Sequence, residues 1–273
     1  MIKLKILQTV KFLSFFLVAI FFLACSSTKV QNKYEQTHIE KDTLNNEQNG
    51  KETNIEIKSK NIESFECNGQ ISLLLNGEEL KGSFEIQSIK NRIFLLDIFG
   101  PFGINVARIY SDTLTNVFCN IWQGKYYKNK EGIENFEFLS PMPQIFFKIF
   151  TAEPFLQNFD NIQVTENQDT LSFNQLLDNN ANVHCFYLNS LSSIIKIIVN
   201  YKINNYQIIY NNFANYGNYG NLPLNIVIQD VVKNDKITLQ IESFDKINAI
   251  NEIKSINLTK YKEVSNFNEL FSN

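Results

Sequence analysis

Ile237, Leu239 and Ile241 alternate with Thr238, Gln240 and Glu242. On an extended chain this period of two puts the apolar groups on one face and the polar groups on the other, which is the signature of a half-buried strand. Residues 80–87 repeat the pattern, with Leu80, Gly82, Phe84 and Ile86 opposing Lys81, Ser83, Glu85 and Gln87. Ile195, Ile197, Val199 and Tyr201 form one side of another strand, and residues 206–213, following Asn204-Asn205, read as its hairpin partner. Strand signals also cover 65–75, 91–99, 104–111, 114–123, 183–188 and 222–232, joined by turns such as Asn76-Gly77 and Asn234-Asp235. About ten antiparallel strands with few helical patterns define a mainly β fold. The expected form is a curved antiparallel sheet, or incomplete β-barrel, with something packed against its concave face.

Two segments break the pattern. Ile55, Ile62 and Phe65 predict a short amphipathic helix between residues 55 and 65. In residues 140–150, Ser140 is placed to cap and Pro141 to occupy the first turn of a helix; Ile145, Phe146, Ile149 and Phe150 share its apolar face, and Pro154 follows it. A helix this apolar must be covered. It either plugs the core or lids a cavity for an apolar ligand, and the sequence leaves both open.

The start of the chain is an address. Lys3, Lys5 and Lys11 lie before or within the start of an apolar stretch, residues 12–24, that ends Phe22-Leu23-Ala24-Cys25-Ser26-Ser27. A basic head, an apolar middle and a small residue make a secretory signal peptide over residues 1–24, and Ala24-Cys25 resembles the lipobox, which makes Cys25 the lipidated first residue. The other reading is an uncleaved anchoring helix, for which the apolar run is marginal in length. Removing three lysines from the 25 basic residues leaves 22 against 28 acidic ones, a mature net charge of −6. Residues 25–54, with Val30, Tyr34, Ile39 and Leu44 as their sizeable apolar groups, bury too little surface to repay ordering and read as a tether. The domain then covers residues 55–273. Ser26 and Ser27 after the cysteine, in place of Asp, resemble the sorting pattern of a lipoprotein sent to the outer membrane, facing the periplasm.

Composition removes several functions. With 25 basic against 28 acidic residues there is no excess to neutralise phosphates, so no nucleic-acid partner is expected. Two histidines are too few for chemistry that needs several, and His38 falls in the tether. Once Cys25 is lipidated, Cys67, Cys119 and Cys185 remain, at most one disulfide, and all three read as small buried apolar residues. His184 and Cys185 are neighbours on a strand and point to opposite faces, so they do not form a nucleophile pair. No P-loop, dinucleotide fingerprint, zinc pattern or nucleophile elbow is present. The expectation is a monomeric protein that is not an enzyme and has no metal site or cofactor.

From about residue 62 to 245 the order of pieces resembles the LolB family of outer-membrane lipoproteins, or a related lipoprotein family of the same architecture that has no assigned role. Gly69-Gln70-Ile71-Ser72 and Gly82-Ser83-Phe84-Glu85-Ile86 are similar to its opening hairpin. Residues 92–109, which include Phe99-Gly100-Pro101-Phe102-Gly103-Ile104, look like its strand, Pro-Leu-Gly loop and strand, with Phe102 where the family usually has Leu. Pro141-Met142-Pro143 resembles the entry to its lid helix; Tyr206, Tyr210, Phe213, residues 222–226 and residues 237–241 resemble its last strands. Residues 246–273 extend beyond the match. The resemblance implies an incomplete barrel around a hydrophobic cavity that accepts acyl chains of lipoproteins from a LolA-like periplasmic carrier and helps insert them in the outer membrane. Cavity-facing residues chosen by face and motif are Phe84, Ile86, Leu95, Ile98, Ile145, Phe146, Ile149, Phe150, Ile197 and Leu239. Pro101, Phe102 and Gly103 form the loop that contacts membrane or cargo if Phe102 projects, and an ordinary turn if it folds back. The rival readings are an accessory envelope lipoprotein without a cavity and a carrier of free lipids.

Overall fold

The computed structural model describes residues 60–75, 77–129, 142–154, 162–176, 181–201 and 204–270. Alternation becomes strands β1 Ser64–Leu75, β2 Glu78–Ile89, β3 Ile93–Phe99, β4 Asn105–Asp112, β5 Asn116–Asn120 and β6 Lys125–Asn129. Helix α1, Met142–Thr151, follows. The chain then returns to strands β7 Gln163–Asn167, β8 Thr170–Leu176, β9 Asn182–Leu188, β10 Ser193–Tyr201, β11 Asn204–Asn215, β12 Asn221–Asp230, β13 Asp235–Asp245 and β14 Lys262–Val264. All belong to one sheet in the order β14-β6-β5-β4-β3-β2-β1-β13-β12-β11-β10-β9-β8-β7. Every pairing is antiparallel except the short parallel contact of β14 with β6. The sheet is curved and open, and α1 is the one α-helix among the described residues.

Two glycines let strands approach where a side chain would not fit. A Cβ on Gly69, beside the register shift between Asn68 and Gly69, would stand 2.0 Å from the Gln240 carbonyl oxygen. One on Gly82 would stand 2.3 Å from that of Phe99. Bulges and such close contacts increase local twist and bend a sheet.

The inner face carries the core. Cys67, Ile71, Phe84, Ile86, Phe94, Leu96, Ile98, Phe118, Ile197 and Leu239 are buried there with α1 residues Phe147, Ile149 and Phe150. Over its described part the predicted helix between residues 55 and 65 does not form: residues 60–62 carry no regular structure and Phe65 lies on β1, while residues 55–59 lie outside the described residues. Phe65 packs against Phe147, Phe150 and Phe244 at ring-centroid distances of 5.3, 6.3 and 5.5 Å, so its burial comes from the sheet and α1.

Residues 246–270 explain themselves only in three dimensions. After β13 the chain crosses the outer face, where Ile256 and Leu258 pack on Tyr110, Val117 and Cys119. It then pairs as β14 with β6 and turns back, bringing buried Leu270 into the inner core. Phe267 meets Phe118 and Tyr127 edge-on, and the Asn120 amide donates to the Leu270 carbonyl at 2.9 Å. This strap covers an outer apolar patch and pairs with β6, which would otherwise be an unpaired edge.

Candidate functional site

The inner face and α1 form the candidate site. Ten residues at a rise of about 1.5 Å make α1 roughly 15 Å long. Its i, i+3, i+4 spacing presents three phenylalanines to the sheet. Phe146 and Phe150 stack on Phe94 at 4.5 and 5.9 Å, while Phe147 meets Phe65. Offset and tilted aromatic pairs of this kind add about 0.5–1.5 kcal/mol each to the burial term.

The C-terminal end of α1 is tied down by polar groups. The Lys60 ammonium donates to the carbonyl oxygens of Thr151, the last helical residue, and Asn221, the first of β12. The Glu153 amide donates to the Lys148 carbonyl at 3.0 Å and the Ile194 amide to that of Ala152 at 3.1 Å. A cation at a helix C-terminus is favoured by the exposed carbonyls there. Burial nevertheless pulls the Lys60 pKa down to about 7, with the Glu153 carboxylate opposing that shift. Glu153 is itself buried, and one of its oxygens lacks a hydrogen-bond partner. The buried Tyr210 hydroxyl is also unpartnered, and burial raises its pKa well above the ordinary tyrosine range.

Of the residues predicted to face a cavity, Phe84, Ile86, Ile98, Ile149, Phe150, Ile197 and Leu239 are buried in the inner core, with Ile145 and Phe146 packed against it. Leu95 is a correction. It lies on the outer face under the strap, with Ile93 and Tyr126, because it is an odd number of residues from both Phe94 and Ile98, which face inward. The other nine converge on the inner face and α1. One depression beside them is a notch of about 80 Å³ at the base of the β3–β4 loop, lined by Ile71, Leu73, Leu80, Ile98, Pro101 and Val106 among others. Such a volume equals about three waters.

The loop itself is a 3₁₀ turn, Pro101–Gly103. Phe102 has φ +66° and ψ 20°, and its side chain is 99% exposed. A left-handed backbone costs a non-glycine residue roughly 1–2 kcal/mol. Phe102 is one of nine non-glycine residues at positive φ among the described residues, and the one aromatic side chain of them. Ile104, 50% exposed, stands beside it.

Cys67, Cys119 and Cys185 are all buried. Desolvation raises the Cys67 thiol well above its ordinary pKa and the Cys119 thiol to about 12, so neither is a reactive thiolate. His184 stacks on Phe186 at 4.3 Å on the outer face, away from buried Cys185. Among the described residues no group of three or more His, Cys, Asp or Glu side chains is placed to hold a metal ion. No described helix is long and apolar enough to cross a membrane. Cys25, the signal peptide, the tether and the Ser140-Pro141 entry to α1 lie outside the described residues.

Sequence reasoning missed Lys60 because a lone lysine beside a polar tether carries no pattern. It also missed the strap, whose apolar residues Ile253, Ile256 and Leu258 follow neither a helical nor a strand period.

No protein-family model matches the sequence, and no curated protein matches it. Solved structures with a similar chain path include a domain described as an outer membrane lipoprotein-sorting protein from Vibrio parahaemolyticus, at 8% identity, TM-score 0.46, covering 66% of this chain and 84% of that one. A LolA superfamily protein from Nitrosomonas europaea is 12% identical, TM-score 0.43, covering 78% and 91%. A DUF1329 family protein from Desulfovibrio piger is 8% identical, TM-score 0.47, covering 67% and 85%. At these values the likeness describes strand arrangement and assigns no activity.

Proposed function

We propose that this chain is a lipid-anchored, periplasm-facing outer-membrane protein that binds acyl chains of lipoproteins under α1. It takes them from a soluble LolA-like carrier and releases them to the bilayer. The observation that carries the reading is the construction of the core. A single open sheet cannot close its inner face on itself, and here the ten-residue helix α1, held at its C-terminal end by Lys60 and the segment after Thr151, packs on that face beside Leu270 of the strap. Displacing one helix exposes the inner phenylalanines without breaking any strand pairing. An acyl chain then replaces the phenyl rings of α1, exchanging one apolar contact for another. Transfer needs no energy source, because each step moves the chain to the more favourable apolar surroundings. Cys25 supplies the anchor, and two or more acyl chains on it hold firmly at about 0.8 kcal/mol per buried methylene.

The burial of Phe147, Ile149 and Phe150 against the sheet favours a second reading, an accessory envelope lipoprotein in which α1 is permanent core. Titration with a fluorescent fatty acid, together with mass spectrometry of lipids extracted from the purified protein, separates the two. Saturable binding, weakened when Phe94 is replaced by Asp, supports the carrier. Absence of both bound lipid and probe binding leaves the scaffold.

A further inference from the structure

Eight large apolar side chains stand exposed among the described residues: Phe102, Ile104, Leu114, Trp122, Val164, Leu176, Val231 and Val232. Their positions along the strands are not scattered. Phe102 and Ile104 lie between β3 and β4, and Trp122 lies in the β5–β6 turn, whose Ile121 amide donates to the Val106 carbonyl at the start of β4. Leu74 near the end of β1 pairs with Lys236 at the start of β13, which places Val231 and Val232 of the β12–β13 turn at that same end. Following the register through Tyr206–Asp230, Tyr201–Asn204, Asn200–Asn182 and Leu176–Asn182 puts Leu176 there too. Six of the eight therefore crown one end of the sheet, on four separate connections. Only Leu114 marks the opposite end, and Val164 sits on the β7 edge.

We propose that this crown is a membrane-contact surface that seats the open end of the sheet on the phospholipid bilayer. The assignment rests on the lipid-anchored reading above and adds the orientation of the domain and the residues that set it. Isolated apolar tips spread along a curved rim fit a fluid interface, which fills between them, better than a protein partner, whose contact needs a contiguous packed patch. Tryptophan is the side chain most at home at the headgroup level. Lys81 and Lys236 line a depression at this end together with Glu79, and Glu78 and Asp235 stand nearby, so the contact is apolar and does not depend on anionic lipid.

The length of chain outside the described residues agrees with this. Lys60 sits at the opposite end from the crown, bound to Thr151 and Asn221. Strand β1, 12 residues, runs from that end to the rim, about 40 Å at roughly 3.3 Å per residue. Residues 26–59 span up to about 115 Å when extended. The segment is long enough to run back past the domain and let the crown meet the bilayer that holds Cys25.

Trp122 is the only tryptophan in the chain, so it reports on this contact directly. The lipid-anchored chain is reconstituted in phosphatidylcholine vesicles containing brominated acyl chains. Trp122 emission is expected to shift to the blue and be quenched, whereas a Trp122→Phe, Leu114→Trp variant, with the reporter at the other end, is not. Phe102→Glu combined with Val232→Glu, both at exposed positions, should restore unquenched Trp122 emission. Deleting residues 30–57, which leaves about 20 Å of linker, should do the same. Unquenched Trp122 in the parent chain, or equal quenching of both reporters, overturns the proposal. Intact fatty-acid binding with no quenching faults the crown alone, and quenching without fatty-acid binding faults the cavity alone.

Discussion

The two ends of the sheet are built on opposite terms. At one end, polar groups tie separate elements together: Lys60 bridges α1 to β12, Asn248 accepts from the Glu63 amide at 2.6 Å, and the Asn221 amide donates to the Leu191 carbonyl at 2.8 Å. At the other, turns carry bare apolar side chains, and Phe102 holds a left-handed backbone with its ring in solvent. Backbone strain is shared by both ends, since Asn91, Ala152, Ser192 and Asn248 at the Lys60 end also hold positive φ; what separates the ends is the set of exposed apolar side chains. The contrast locates where cohesion resides and where an outside surface is expected, and substitutions along the molecule break or sharpen it.

The largest effect belongs to the core between the two ends. Phe94 is fully buried and bears both Phe146 and Phe150 of α1. Phe94→Ala is expected to cost about 3–5 kcal/mol in chemical denaturation, through lost burial and the cavity left behind. Phe102→Ala, removing the same phenyl from the exposed end, should change stability by less than about 0.5 kcal/mol. Similar costs for the two would erase the distinction.

Next comes the strap. Leu270 is fully buried against the inner core, so Leu270→Ala should lower stability by about 2–4 kcal/mol, measured by denaturation midpoint. An unchanged midpoint would mean that residues 246–270 lie on the sheet without contributing to it.

How much of this was legible in the sequence depended on periodicity. The strands with clean alternation, at 80–87, 197–201 and 237–241, form as read, because the inner core selects one face, whereas a register shift between Ile194 and Lys196 puts Ile194 in the core in place of the expected Ile195. Strand β7 left no trace, since all five of its residues are exposed and none is selected by burial. Leu95 faces outward because it stands an odd number of residues from Ile98, and the period of two outweighs its place in the family motif. Lys60 had no local signal at all, because its role depends on helix carbonyls some ninety residues away in the chain.

Lys60 gives the third prediction, and its sign follows from the lowered pKa. Between about pH 7, where the folded amine titrates, and 10.5, where the unfolded one does, the unfolded chain binds more protons. Stability attributable to this group therefore rises with pH across that window and is flat below it. Lys60→Met should abolish that slope and, by leaving the Thr151 carbonyl without its donor, cost about 1–2 kcal/mol near pH 7. Stability curves of parent and variant at pH 7 and 10 check both. A slope that survives the substitution would assign it to other groups.

The smallest effect has the opposite sign and tests the Phe102 turn directly. Glycine populates positive φ at little steric cost, so Phe102→Gly should relieve the backbone that Phe102 holds at +66° while removing no buried contact. Loss of strain favours the variant by about 1 kcal/mol, and the greater freedom of glycine in the unfolded chain returns about half of that. A net gain of roughly 0.5 kcal/mol is expected, read as a small rise in melting temperature. The Gly82→Ala change, at a position where a Cβ would stand 2.3 Å from the Phe99 carbonyl oxygen, should be destabilising by more than that gain. If Phe102→Gly instead lowers stability, the phenyl ring contributes to the folded domain itself, and its exposure loses its meaning as a contact held ready for lipid.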